Sequence, residues 1–350
     1  MDDTAVVAGA KGEAAPRLSA PAKKPKEQSI ETLRGLAILL LVVLHSHEET
    51  VPDFVASPGH ARWVDYVNFA FVYLRMPLFT VISGYVYALR PLGRRGDARK
   101  FLAGKARRLV VPLVAVTTIS IAFVALTSGN FLYPDALWKS YFYPYRHLWF
   151  LQAMVFVILF VSFCEWNGFM DTLYGWLACL VFAFALGLVP YRPEFFSINR
   201  FFYLLPFFIF GIGLQRYEQE LRHRAVFATI TTVAIVGLII QQLGWFGVSD
   251  VSLEKGDVLG LTVGLSANYV LFMVRRPIPF LAWVGSYSYA IYLFHHIGIS
   301  AGKRLFLATD GDSNDVYFFV KLAAGLSIPI VIEVVAKRRA ITRRALLGLR

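Results

Sequence analysis

Long apolar runs, broken by short polar or basic stretches, set the pattern of this chain. A helix that crosses a bilayer needs about 17–25 predominantly apolar residues. On that scale ten segments qualify: 30–47, 66–89, 109–128, 147–165, 172–190, 201–215, 225–243, 258–274, 279–301 and 316–336. The sixth is short, and Pro206 within it is expected to kink it. The pattern predicts an all-α, polytopic membrane protein of about ten transmembrane helices. Its membrane domain would run over 29–336, between a flexible tail at 1–28 and a basic tail at 337–350. No internal repeat, separate soluble domain or long linker interrupts it.

Charge tests the count. With the N-terminus in the cytoplasm and ten crossings, 24 Lys and Arg residues fall inside, eight outside and three within spans. A threefold excess agrees with the positive-inside rule and puts both termini in the cytoplasm. Composition agrees: 57% of the 350 residues are hydrophobic and 17% charged, against about 25% charged in soluble domains. The net charge of +12 would suit a nucleic-acid binder, but the basic residues lie between apolar segments. No nucleic-acid partner is expected, and the lipid bilayer is. Cys164 and Cys179 sit in apolar runs, against a disulfide framework or thiolate metal site. Segment 30–47 is read as a retained helix rather than a cleaved leader, because Pro58 interrupts the small-residue stretch "VASPGHA" after it.

The first span, "ETLRGLAILLLVVLHSHEE" (31–49), carries Arg34 near one end and His45 near the other. Eleven helical residues make three turns plus about 20°, so both project from one face, about 16 Å apart along the axis. Ionisable groups in a membrane usually face a bundle interior or a watery cavity. Other spans bring more. "LRMPLFTVISGYVYALR" (74–90) holds Arg75 in the membrane, then Ser83 and Gly84, small enough for close helix packing. "YRHLWFL" (145–151) supplies His147 and Trp149, and "GSYSYAIYLFHH" (285–296) supplies Tyr289, His295 and His296. Three further helices thus bring Arg75, His147 and the pair His295 and His296 to about the outer depth of His45, a convergence that suits acid–base chemistry. At the cytoplasmic side, 90–112 is dense in basic residues, with Lys105 and Arg108 one helical turn apart.

These landmarks resemble acyltransferase family 3, the integral-membrane acyl- and acetyltransferases that modify bacterial surface polysaccharides. "LRGLAILLLVVLHS" is similar to the family's first-helix signature of an arginine, ten residues and a histidine, met by Arg34 and His45. "MPLFTVISGY" resembles its second helix, and "HLWFL" and "SYSYAIYLFHH" resemble later landmarks in order. Glu31 stands where an aspartate is common, Lys105 and Arg108 stand for an Arg-x-x-Arg pair, and Arg75 replaces a histidine or acidic residue. The resemblance implies a multi-pass protein of the bacterial inner membrane, with acyl-CoA (acetyl-CoA foremost) as cytoplasmic donor. The acceptor would be a hydroxyl of a glycan or lipid-linked oligosaccharide, with polysaccharide-assembly proteins as further partners. No tightly bound cofactor and no metal are expected.

On this reading Lys105 and Arg108 hold the donor's phosphates and Arg34, with Glu31 beside it, positions the donor. His45 acts as general base or is itself acylated in passing, and Arg75 or His295 stabilises the oxyanion. Ser83, His147, Trp149 and Tyr289 are further cavity candidates. Trp63, Trp138, Tyr141, Tyr143 and Tyr145 serve as sugar platforms or as interface anchors. The rival class is a proton-coupled exporter of a lipid-linked sugar or small molecule, which intramembrane Lys321 and Glu333 would also suit.

Overall fold

The computed structural model describes residues 25–48, 63–93, 96–190, 193–308 and 314–349. Most of the 1–28 tail, the 49–62 stretch with Pro58 and the residues Arg62 and Arg192 lie outside the described residues. Every regular element among the described residues is helical. In chain order these are α1 (Pro25–Glu48), α2 (Trp63–Ala70), α3 (Arg75–Ala88), α4 (Ala98–Thr127) and α5 (Lys139–Phe142). Then come α6 (Trp149–Asn167), α7 (Leu173–Gly187), α8 (Ile198–Arg216), α9 (Glu218–Leu221) and α10 (Arg224–Trp245). The chain continues through α11 (Val258–Val274), α12 (Pro279–Ser286), α13 (Ser288–Leu307), α14 (Asn314–Ala336) and α15 (Ala340–Leu347).

Seven helical stretches among the described residues are long and apolar enough to cross a membrane, or up to eight if the bent α11–α12 pair is one span. They correspond to the first, second, third, fourth, sixth, seventh and tenth expected spans. The fifth is the shorter helix α7. The eighth is α11, with the expected bounds; it turns into α12 through 118°, across a link where Pro277 disfavours helical backbone at Arg276. The expected single helix over 279–301 is instead two, α12 and α13, meeting at Tyr287. Pro206 lies inside an α8 that continues through it. Helix α1 begins at Pro25, within the stretch expected as a tail.

The bundle is built around α1, which packs against α3, α12, α13 and α14. Glycines set how closely. A Cβ on Gly35 would lie 1.9 Å from the Leu281 carbonyl oxygen, and one on Gly285 1.9 Å from that of Glu31, so α1 and α12 meet backbone to backbone. The backbone N–H of Ile278 donates to the Thr32 hydroxyl (2.9 Å), fixing the entry into α12. The peripheral helices turn apolar side chains outward, among them Val114 on α4, Phe163 on α6, Ile235 and Ile239 on α10 and Val331 on α14. Helices satisfy their own backbone groups, which makes such a surface suited to lipid. The protein is a multi-pass membrane protein.

The basic 337–350 stretch carries a helix, α15, which packs on α4 and α14 and buries Leu347. Gly348 ends it at φ 60°, and a Cβ there would meet the Arg107 carbonyl oxygen at 2.6 Å. A left-handed residue on a neighbouring backbone is a place for glycine.

Candidate active site

At one end of α1 lies a cavity of about 450 Å³. Arg34 from α1, Ser83 from α3, Lys105 and Arg108 from α4, Tyr289 from α13 and Lys337 after α14 all line it. Four cations and the Glu333 carboxylate around one apolar-walled space leave the chamber net positive. Its walls hold those cations in place. Arg34 donates to the Glu31 carboxylate at 2.8 Å, one turn earlier on the same helix. The Lys105 ammonium rests over the rings of Tyr87 (5.1 Å) and Phe101 (5.0 Å), contacts favourable to a cation. Lys337 pairs with Glu333 at 2.5 Å. The Tyr289 hydroxyl donates to the Arg108 carbonyl (2.5 Å), joining α13 to α4. Leu347 and Leu349, on and after α15, close part of the wall, a contribution that a short basic stretch at the chain's end does not announce.

Further along α1, four imidazoles meet. His45 lies with its ring centroid 5.1 Å from that of His295 and 4.7 Å from that of His296. His147 lies 4.5 Å from His295 and 4.7 Å from His296. All four are named in the sequence reading, three of them as site candidates, and His296 joins the group. Two have their tautomers set by the backbone. Carbonyl oxygens only accept, and His295 Nδ1 faces those of Ile291 (2.9 Å) and Tyr292 (2.8 Å), so Nδ1 carries the proton. His147 Nε2 donates in the same way to the Leu293 carbonyl (3.1 Å). What remains on each is a lone pair: His295 Nε2 and His147 Nδ1, both buried, have no hydrogen-bond partner among the described residues. A neutral His295 therefore presents an acceptor to the cluster, which does not suit it to donate to an oxyanion.

Cavity and cluster adjoin through Tyr292. Its side chain lines the cavity, its ring lies 5.4 Å from His147 and 5.6 Å from Phe150, and its hydroxyl donates to the His147 carbonyl at 2.6 Å. His45 itself does not line the cavity. The Arg34–His45 stripe thus joins two compartments, with Tyr292 and Phe150 at their boundary.

Other expected residues fall elsewhere. Arg75 is buried at the start of α3 and donates to the Asn68 side-chain carbonyl (3.0 Å) from α2. Ser83, in the cavity wall, turns its hydroxyl back to the Phe79 carbonyl (2.8 Å). Trp149 lies under the Arg200 guanidinium at 5.3 Å and is not in the cavity wall. Tyr145 is buried, which removes it as a sugar platform, whereas Trp63 and Trp138 are exposed. Sequence reasoning missed the buried pair of His47 with Asp65, although the aspartate in "WVDYVNFA" was a legible signal.

Comparison with curated proteins and with solved structures gave no match. Residues 27–334 do match a family model described as an acyltransferase domain, a stretch that holds the basic cavity's Arg34, Lys105 and Arg108 and all four clustered histidines. The chain belongs to acyltransferase family 3.

Proposed function

We propose that this acyltransferase moves an acyl group, acetyl foremost, from cytoplasmic acyl-CoA to a hydroxyl of a bacterial surface glycan or its lipid-linked precursor. It would do so from the inner membrane, with ten crossings and both termini in the cytoplasm. One observation carries the reading: a single helix sets Arg34 in a basic chamber and, eleven residues on, His45 among histidines. The chamber's charge suits the phosphates of a CoA nucleotide, which accept charge-assisted hydrogen bonds from Lys105, Arg108 and Arg34. The pantetheine arm is thin enough to pass between helices, provided Tyr292 and Phe150 yield at the boundary.

At the cluster, His45 takes the proton of the acceptor hydroxyl as its oxygen attacks the thioester carbonyl. A C–O bond forms, the C–S bond breaks, and His45 returns the proton to the departing thiolate, so product ester and free CoA leave in equal amounts.

The direct test supplies radiolabelled acetyl-CoA to purified protein in liposomes with a lipid-linked oligosaccharide. Label in the glycan, matched by released CoA thiol, supports the reading. Absence of both across short-chain acyl donors and glycan acceptors refutes it. The basic chamber has its own test in the Lys105→Ala/Arg108→Ala double variant. A hydrogen bond to a charged group contributes about 1.5–3 kcal/mol, so the loss of even one of the two contacts is expected to raise the KM for acyl-CoA roughly ten- to a hundredfold, with kcat little changed. An unmoved KM would mean that these residues serve the membrane surface alone.

A further inference from the structure

The four-histidine cluster holds more imidazole than a single proton acceptor requires. Ligand nitrogens of His45, His295 and His296 all lie within 4.8 Å of one another, although only His295 and His296 are neighbours in sequence. Adjacent residues on a helix diverge by about 100°, yet these two rings approach to 4.6 Å. The third comes from α1. Three imidazoles around one point are the donor set of a borderline divalent ion rather than of Mg²⁺ or Ca²⁺, which favour oxygen.

The second observation is His295 itself. It is 0% exposed, and its Nδ1 proton is committed to two helix carbonyls. That commitment leaves Nε2 as a lone pair in the cluster with no hydrogen-bond partner. Donation of the second ring nitrogen to a backbone carbonyl is the arrangement that fixes tautomer and orientation in metal-ligating histidines. His45 and His296 are only partly buried, which leaves an approach for an ion. In a tetrahedral site with Zn–N of about 2.0–2.1 Å, ligand nitrogens stand about 3.3 Å apart. The observed spread of up to 4.8 Å exceeds that by about 1.5 Å, to be closed by the rings of His45 and His296 turning toward the fixed His295.

We propose that His45, His295 and His296 form a binding site for a divalent transition-metal ion of the Zn²⁺ class, and that an ion bound there switches off acyl transfer by occupying the lone pair of His45. The site rests on geometry alone. The switch rests also on His45 being the base proposed above.

The test uses the full-length protein, purified without a histidine tag and titrated with Co²⁺, which reports its coordination by visible absorption. One equivalent is expected to bind with the intense bands of tetrahedral Co²⁺ and to be displaced by Zn²⁺. His295→Phe, which keeps an aromatic ring in the packing, is expected to weaken binding at least about a hundredfold, since even outer-sphere losses cost ten- to a hundredfold. A second variant, His296→Cys, is expected to retain Co²⁺ and add a thiolate-to-cobalt charge-transfer band absent from the parent, as only a ligand position allows. No tetrahedral spectrum in the parent, or one unchanged by both substitutions, would overturn the site. Zn²⁺ is further expected to abolish transfer and a chelator to restore it. Transfer that persists in Co²⁺-loaded protein would overturn the switch and His45 as base while leaving the site standing. A protein that binds no Co²⁺ but loses transfer on His45→Ala would leave the base standing and the site refuted.

Discussion

Replacing His45 by alanine is expected to lower kcat for acyl transfer by about 10²–10⁴-fold, the range general acid–base groups supply, while KM for acyl-CoA stays near its parent value. The division follows from the two compartments. Arg34, Lys105 and Arg108 surround the chamber that suits the donor's charged end, whereas His45 stands outside its wall with its ring against His295 and His296. Donor binding and proton transfer are therefore expected to respond to different substitutions, and Arg34→Ala should act mainly on KM. The His45 substitution leaves α1 able to insert, because alanine is an excellent helix former and the segment stays apolar. Acyl content of the glycan, measured by mass spectrometry beside the amount of protein in the membrane, gives the readout. Full acylation by a normally inserted His45→Ala protein would end the catalytic assignment. Rapid denaturation during turnover of the parent also separates the two roles left open for His45: labelled acyl recovered on the protein marks a nucleophile, and its absence marks a base.

How much of this was legible beforehand depended on the kind of signal. Apolar length located the helices well, because lipid penalises any unpaired backbone group and few residues can break such a run unseen. It did not show breaks inside a run where a break costs little. The 66–89 run is α2 and α3 with a turn between; Pro77, three residues into α3, marks a helix's first turn rather than its middle. The 279–301 run parts at Tyr287, beside small residues and with no proline to announce it. Helix α15 was hidden by its charge, since a short basic amphipathic segment reads as a tail until α4 and α14 supply the apolar surface it covers. For the site, depth along the helices brought Arg75, His147 and His295 to the level of His45, and the structure brings the histidines together but not Arg75. Rotation about each helix axis was not legible. It decides that Arg75 meets Asn68, that Trp149 leaves the cavity, and that the His295 proton points back into its own helix. Such facts arise from tertiary contacts, which one sequence does not encode locally.

A methyl group added at Gly35 and the same group added at Gly104 are expected to act with opposite sign. Both glycines are helical, and alanine in a helix interior is better than glycine by about 0.5–1 kcal/mol from backbone entropy alone. Around Gly104, in α4, a new Cβ meets nothing within 4 Å, so Gly104→Ala is expected to hold or raise the melting temperature. Around Gly35 the Cβ meets the Leu281 carbonyl oxygen at 1.9 Å and its carbon at 2.7 Å. Backbone atoms have no rotamer to retreat into, so α12 has to move away from α1 by more than an ångström. Overpacking of this kind costs about 1–3 kcal/mol where side chains can yield, and more is expected here, where they cannot. The displacement would also disturb function, because Glu31 and Arg34 occupy the same stretch of α1 and the Glu31 carbonyl meets α12 at Gly285 in the same way. Thermal unfolding in detergent, with acyl-CoA affinity measured alongside, reads both effects: Gly35→Ala should melt earlier and bind donor more weakly, and Gly285→Ala should behave alike. A Gly35→Ala protein that melts with the parent would mean that α1 and α12 are not in backbone contact, and that the arginine of the basic chamber is held in place by Glu31 alone.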